Sequence, residues 1–153
     1  MDLTLTNGQP VTIAAVSTAT RNGVTETDVT GVLKITASDN PLQYDEEDNV
    51  IASTNVVEIS DSGGIADPNG DIQSLKVTAS DGALTIDTVV AGTAMPPADW
   101  FPERTDTEYE FRWLFDIDND ASTGLKVDGV NELGADIVAE IKFDSGKGIE
   151  AGH

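Results

Sequence analysis

The chain of 153 residues carries 28 acidic against 8 basic side chains, a formal charge of -20, and 39% of its residues are hydrophobic. Such a surface repels nucleic acid and anionic membranes and attracts cations, while the length suffices for one domain with its own core. There is no cysteine and the only histidine is His153, so disulfides, thiolate metal sites and cysteine nucleophiles are excluded, and a Ser-His-Asp triad would rest on the last residue.

Short alternating runs rich in Thr, Val and Ile, punctuated by Gly, Asn, Asp and Pro, predict an all-β chain with little helix. In chain order the predicted strands are Val11–Thr20, Thr27–Ala37, Val50–Ile59, Ile72–Ser80, Ala83–Val90, Glu108–Asp116 and Asp136–Phe143. Asn22-Gly23 and Asp81-Gly82 are two-residue hairpin signals, because a type I′ turn needs positive φ at both central positions. Many short strands with regular turns predict a two-sheet β-sandwich of jelly-roll type. The whole of 1–153 is read as one domain, in which the strands of 11–59 complete the sheets. They hold too few large aliphatic residues for a core of their own. No run reaches the length of a membrane-spanning helix.

Three segments read as connections. Tyr44-Asp45-Glu46-Glu47-Asp48-Asn49 is an acidic, solvated turn. Asp61-Ser62-Gly63-Gly64 with Asp67-Pro68-Asn69-Gly70-Asp71 is a turn-rich joint. The segment 91–104 holds three prolines around Trp100-Phe101, a pair that either covers one end of the fold or stacks on a sugar ring.

The strand Glu108–Asp116 places Tyr109, Phe111, Trp113 and Phe115 on one face and Glu110, Arg112, Leu114 and Asp116 on the other. The aromatic face is expected in the core. Directly after it comes Asp116-Ile117-Asp118-Asn119-Asp120-Ala121-Ser122-Thr123-Gly124. Asp116, Asp118 and Asp120 alternate on a loop that can turn them toward one point, which is what a hard oxygen-seeking cation such as Ca2+ requires. The spacing matches the start of an EF-hand loop, but Ala121 and Val127 replace its glycine and bidentate glutamate, and a strand precedes it. The remaining ligands are left open among Ser122, a Thr123 carbonyl, Asp128, Asn131 and Asp136. Asp67, Asn69 and Asp71 alternate in the same way and form a second candidate cation site, in a composition that an ordinary turn also uses.

From Ile65 to Phe143 the chain resembles the calcium-dependent β-sandwich domains of secreted bacterial and archaeal proteins, the DOMON and family 9 carbohydrate-binding groups. The resemblance rests on the Asp67–Asp71 turn, the hairpin at Asp81-Gly82, the aromatic strand ending in Asp116–Gly124, and Gly134-Ala135-Asp136. It implies calcium bound by the central loop with Asp136 as a distal ligand, and a secreted or cell-surface location. Haem, which such folds also host, is disfavoured by the lack of an internal histidine and by only two methionines, Met1 and Met95.

The expected function is an extracellular calcium-binding module with a binding or structural role. Two alternatives stand beside it: a carbohydrate-binding module that presents Trp100 and Phe101 to a glycan, and a surface or filament subunit completed by strand exchange with another copy. An enzyme is not expected. A carboxylate hydrolase needs an acid and a base at a set separation, and no spacing among the many carboxylates singles out such a pair.

Overall fold

The structure is a computed structural model that describes residues 10–36, 42–44, 47, 50–52, 54–61, 64–80, 83–92, 107–127, 130, 133–144 and 148–152. Eleven strands are defined among them: β1 (Pro10–Arg21), β2 (Val24–Val29), β3 (Leu33–Thr36), β4 (Leu42–Tyr44), β5 (Val50–Ala52), β6 (Thr54–Ser60), β7 (Ile72–Ser80), β8 (Ala83–Val90), β9 (Thr107–Asp116), β10 (Ile137–Asp144) and β11 (Gly148–Gly152). No described residue is helical, so no helix is long and apolar enough to cross a membrane. The larger sheet runs β11-β10-β9-β1-β2 with β3 also on β1, the smaller runs β6-β7-β8, and β4 and β5 form a separate ribbon. Every pairing is antiparallel. The all-β sandwich read from the sequence is the fold.

The two larger sheets face each other across one core. Val11, Ile13 and Ala15 of β1, Leu33 and Ile35 of β3, and Tyr109, Phe111 and Phe115 of β9 meet Ile72, Leu75 and Val77 of β7. Phe111 and Phe143 pack edge to face at a centroid distance of 6.2 Å. The aromatic stripe of β9 is therefore spent on the core, with Trp113 donating its indole N–H to Thr88 Oγ1 of β8 at 2.8 Å.

The outer face of the larger sheet carries a second, smaller core. Ala14 and Val16 of β1 and Leu114 of β9 pack under Val130, Leu133 and Ala135, which belong to the connection from β9 to β10. Both faces of β1 are therefore buried, which is why Val11 through Ser17 is buried without alternation. This outer core holds the β9–β10 connection flat against the sheet and so positions the acidic loop at its edge.

The predicted strand over 27–37 is divided. Val29 pairs with Val16 and Leu33 with Ile13, so four steps on one strand oppose three on the other. That one extra residue is a β-bulge, and it reverses which face each later side chain takes. Thr30 sits in it and replaces the lost ladder bonds: its N–H donates to the Ala15 carbonyl and its Oγ1 accepts the Ala15 N–H, each at 2.9 Å. The predicted strand over 50–59 changes partner instead, with β5 pairing β4 and β6 pairing β7. Tyr44, expected in the acidic turn, lies in β4. Glu47 is in a turn, and Asp45, Glu46, Asp48 and Asn49 fall outside the described residues. Asn22 and Gly23 have φ of 52° and 78°, the type I′ geometry expected of their hairpin. Asp81 and Gly82 lie outside the described residues, between strands that pair Ser80 with Ala83.

Candidate metal centre

Asp116 ends β9 on its outer face and is 2% exposed. One carboxylate oxygen, Oδ2, accepts the Gly134 N–H at 3.4 Å. The other, Oδ1, is buried and has no hydrogen-bond donor. A buried oxygen carrying negative charge without a donor costs free energy unless a positive partner meets it.

Two further carboxylates supply the setting. Asp116, Asp118 and Asp136 each bring one oxygen within 4.8 Å of the others, the first buried and the other two exposed. The loop chemistry fixes them in place. Asp136 Oδ2 accepts the N–H groups of Ile117 and Asp118 at 2.8 and 3.2 Å. Asp118 Oδ1 accepts the Asp120 N–H at 2.8 Å, and its Oδ2 accepts the Thr123 hydroxyl at 2.8 Å. These donors, the Asp120 amide first and the Thr123 hydroxyl second, hold the Asp118 carboxyl below the ordinary range.

Three other residues shape the loop. Asn119 takes φ of 54°, a left-handed conformation that Asn tolerates better than most residues. Its side chain fastens the loop to β1, donating to the Pro10 carbonyl at 2.7 Å and accepting the Thr12 hydroxyl at 2.8 Å. Gly134 lies so close to the loop that a Cβ on it would sit 2.0 Å from the Thr123 carbonyl oxygen. Gly124, at φ of 67°, permits the bridge in which Leu125 and Ala135 exchange N–H···O bonds of 2.8 and 2.9 Å.

Asp120 and Ser122 engage each other. Asp120 turns its Oδ1 to the Ser122 N–H and hydroxyl, at 2.9 and 2.5 Å, and so does not join the other three. The Ser122 hydroxyl is engaged by the same contact. Asp128 and Asn131, and the candidate sugar-stacking pair Trp100 and Phe101, lie outside the described residues.

Nor does the structure draw Asp67, Asn69 and Asp71 to one point. Asp67 Oδ2 pairs with the Arg21 guanidinium and accepts the Tyr109 hydroxyl at 2.8 Å, while its Oδ1 accepts the Asn69 N–H at 3.1 Å. Asp71 Oδ1 accepts the Gly64 N–H at 2.8 Å and its Oδ2 the Gln73 amide at 2.7 Å. This turn is a tether between sheets. Burial and the adjacent Asp67 carboxylate push the Tyr109 phenol up, and its bond to Tyr109 raises the Arg21 guanidinium. A groove of about 300 Å³ lined by Arg21, Val24, Glu26, Asp67 and Pro68 lies beside this tether. It is at the far end of β1 from the acidic loop, since Arg21 pairs with Thr107 and Thr12 with Asp116.

Sequence reading missed the roles of Asn119 and Gly134. An Asn among alternating aspartates marks a left-handed position, and that signal was available. The close approach at Gly134 depends on the outer core and was not.

Comparison with known proteins finds no matching family model, no matching curated protein and no matching solved structure. The likeness to DOMON and family 9 carbohydrate-binding domains therefore stands at the level of a two-sheet sandwich, without support for descent from either group.

Proposed function

We propose that the chain is a calcium-binding β-sandwich that acts outside the cell as a binding or structural module and not as an enzyme. The observation that carries this reading is the buried Asp116 Oδ1, without a donor and beside two more carboxylates. A cation at that point would supply the missing positive partner. The donor set is all oxygen, which suits a hard ion, and a loop with two exposed carboxylates, open to water, suits Ca2+ better than the small, strictly octahedral Mg2+. Extracellular calcium is abundant enough for a site that an exposed loop makes weak.

Thermal melts in calcium, in magnesium and in chelator test this, with calorimetric titration for affinity. Calcium should raise the midpoint, by the equivalent of about 2.7 kcal/mol at 100 times its dissociation constant, and magnesium less. Identical midpoints in calcium and chelator would refute the reading.

A second reading, a self-assembling subunit, is favoured by β8. No described strand pairs with its outer edge, and Asp87 is its only charged residue, whereas sheet edges are ordinarily blunted by charge or proline. Light scattering across a concentration series would separate the two: growth of polymers with calcium favours assembly, and a constant monomer mass removes it.

A further inference from the structure

A second group of carboxylates lies between β2 and the connection from β6 to β7. Asp28, opposite Ser17 in the ladder, is 4% exposed, and Asp71 is 8% exposed. Asp28 Oδ2 accepts the Ile72 N–H at 3.0 Å. Gly64 lies against the same carboxylate, where a Cβ would fall 2.1 Å from Asp28 Oδ1, and its N–H is held by Asp71. Asp61 is anchored by its own N–H, which donates to the Gln73 carbonyl at 2.8 Å. Its side chain comes within hydrogen-bond reach of Asp28, yet Asp61 Oδ2 is buried without a donor.

The charged groups that face Asp28 are both anions, Asp61 and Asp71, from the opposing connection. On β2 itself Glu26 turns away to the Ala66 N–H at 3.1 Å, β1 offers the neutral Ser17, and β7 offers Ile72 and Gln73. Among the described residues the cluster therefore lacks positive charge. A shared metal is a poor answer. Among the described residues only Asp116, Asp118 and Asp136 gather three ligand oxygens within 4.8 Å. A proton needs only two oxygens.

We propose that Asp28 keeps a proton in the folded protein and donates it to Asp61, and that this bond is a pH-sensitive clasp holding β2 to the end of β6. The proton comes from solvent and resides on Asp28, which donates to the Asp61 oxygen that otherwise has no donor. Burial pushes the Asp28 carboxyl up, opposed by the Ile72 N–H and reinforced by the Asp61 and Asp71 charges. A carboxyl raised in the folded state adds stability that is complete below the unfolded value, about 3.9, and is lost as pH rises through the folded value. Above it, two ionised carboxylates and Asp71 repel one another and the joint loosens.

The test is a carbon-13 carboxyl titration of the aspartates in chelator, which removes any cation from the loop after β9, together with melts of wild type and Asp28→Asn at pH 5 and pH 8. Asparagine keeps an acceptor for Ile72 and presents a permanent donor to Asp61. The expected result is one aspartate resonance titrating above the ordinary range in wild type and missing in Asp28→Asn. The variant's midpoint should also exceed that of wild type at pH 8 and change less between the two pH values. The proposal is overturned if every aspartate titrates in or below the ordinary range, which wild type alone decides, or if Asp28→Asn folds with an unchanged pH dependence. The chain termini and His153 are common to both proteins and cancel in the difference.

Discussion

At the scale of single residues, the acidic loop shows how identical spacing leads to different chemistry. Of the alternating Asp116, Asp118 and Asp120 the first two converge, with Asp136 in the place of Asp120, whereas Asp67, Asn69 and Asp71, with the same alternation, do not. The first set was legible only in part, since Asp116 and Asp118 alternate at a strand end, Asp120 is included by the same alternation, and Asp136 is one of several ligands the sequence leaves open. The second was not, because the donors that claim Asp67, Arg21 and Tyr109, stand 46 and 42 residues away. Asp120 escapes the triad because the Ser122 hydroxyl is nearer to hand. Two substitutions test the residue roles. Asp116→Asn should stabilise the cation-free protein by about 1–3 kcal/mol, since an amide nitrogen replaces the buried Oδ1 that has no donor, and should also abolish the response to calcium. Melts in chelator and in calcium read both signs at once, and a variant less stable in chelator would contradict the account. Asn119→Ala puts a residue without local hydrogen bonding into a left-handed conformation and removes the tie to Pro10 and Thr12. It should cost about 1–2 kcal/mol for the backbone alone, seen as a lower melting midpoint with and without calcium.

Among the elements, the connection from β9 to β10 works as a cradle whose underside is the outer core. Leu114 and Leu75 are both fully buried, but Leu114 supports Val130, Leu133 and Ala135, next to Gly134 and Asp136, while Leu75 lies in the core between the sheets. Either change to Ala should cost about 2–5 kcal/mol. Leu114→Ala should in addition weaken calcium binding, because the carboxylates lose the surface that sets their spacing, whereas Leu75→Ala should leave affinity in the folded protein unchanged. Calorimetric titration well below the melting range checks this, and equal affinities would show that the cradle does not depend on its underside. The strands most legible in the sequence were those with a sustained alternation, β8 throughout and β7 from Leu75 onward, where Leu75, Val77 and Ala79 face inward as their spacing requires, while a register shift between Ile72 and Ser74 breaks the pattern at the start of β7. The bulge at Thr30 hid Asp28: a polar residue between Thr27 and Val29 in a plain strand gives no sign of burial until the extra residue changes the face. Gly148–Gly152 was not legible as β11 either, because only Ile149 and Ala151 of its five residues are apolar and glycines bound it.

For the whole molecule, the excess of 28 acidic over 8 basic residues makes two kinds of cation response separable. Self-repulsion is screened by any salt, with a Debye length of about 10 Å at 0.1 M, so sodium chloride should raise the melting midpoint gradually. Calcium at matched ionic strength should raise it further, and in Asp116→Asn only the gradual part should remain. Domain organisation is open to a direct test. β1 lies between β9 and β2, and its residues Val11, Ile13 and Ala15 belong to the core between the sheets while Ala14 and Val16 belong to the outer one. A fragment beginning at Ile65 lacks β1 through β6. It leaves β9 without a neighbour on one side and strips one wall from each core, exposing Leu75, Val77, Tyr109 and Leu114. We propose that 1–153 folds as one unit, so the fragment 65–153 should show no protected amides in hydrogen exchange and should aggregate as its concentration rises, with or without calcium. A monomeric fragment with protected amides in β7, β8 and β9 would instead mean that these strands close a core unaided and that 11–59 is an accessory layer.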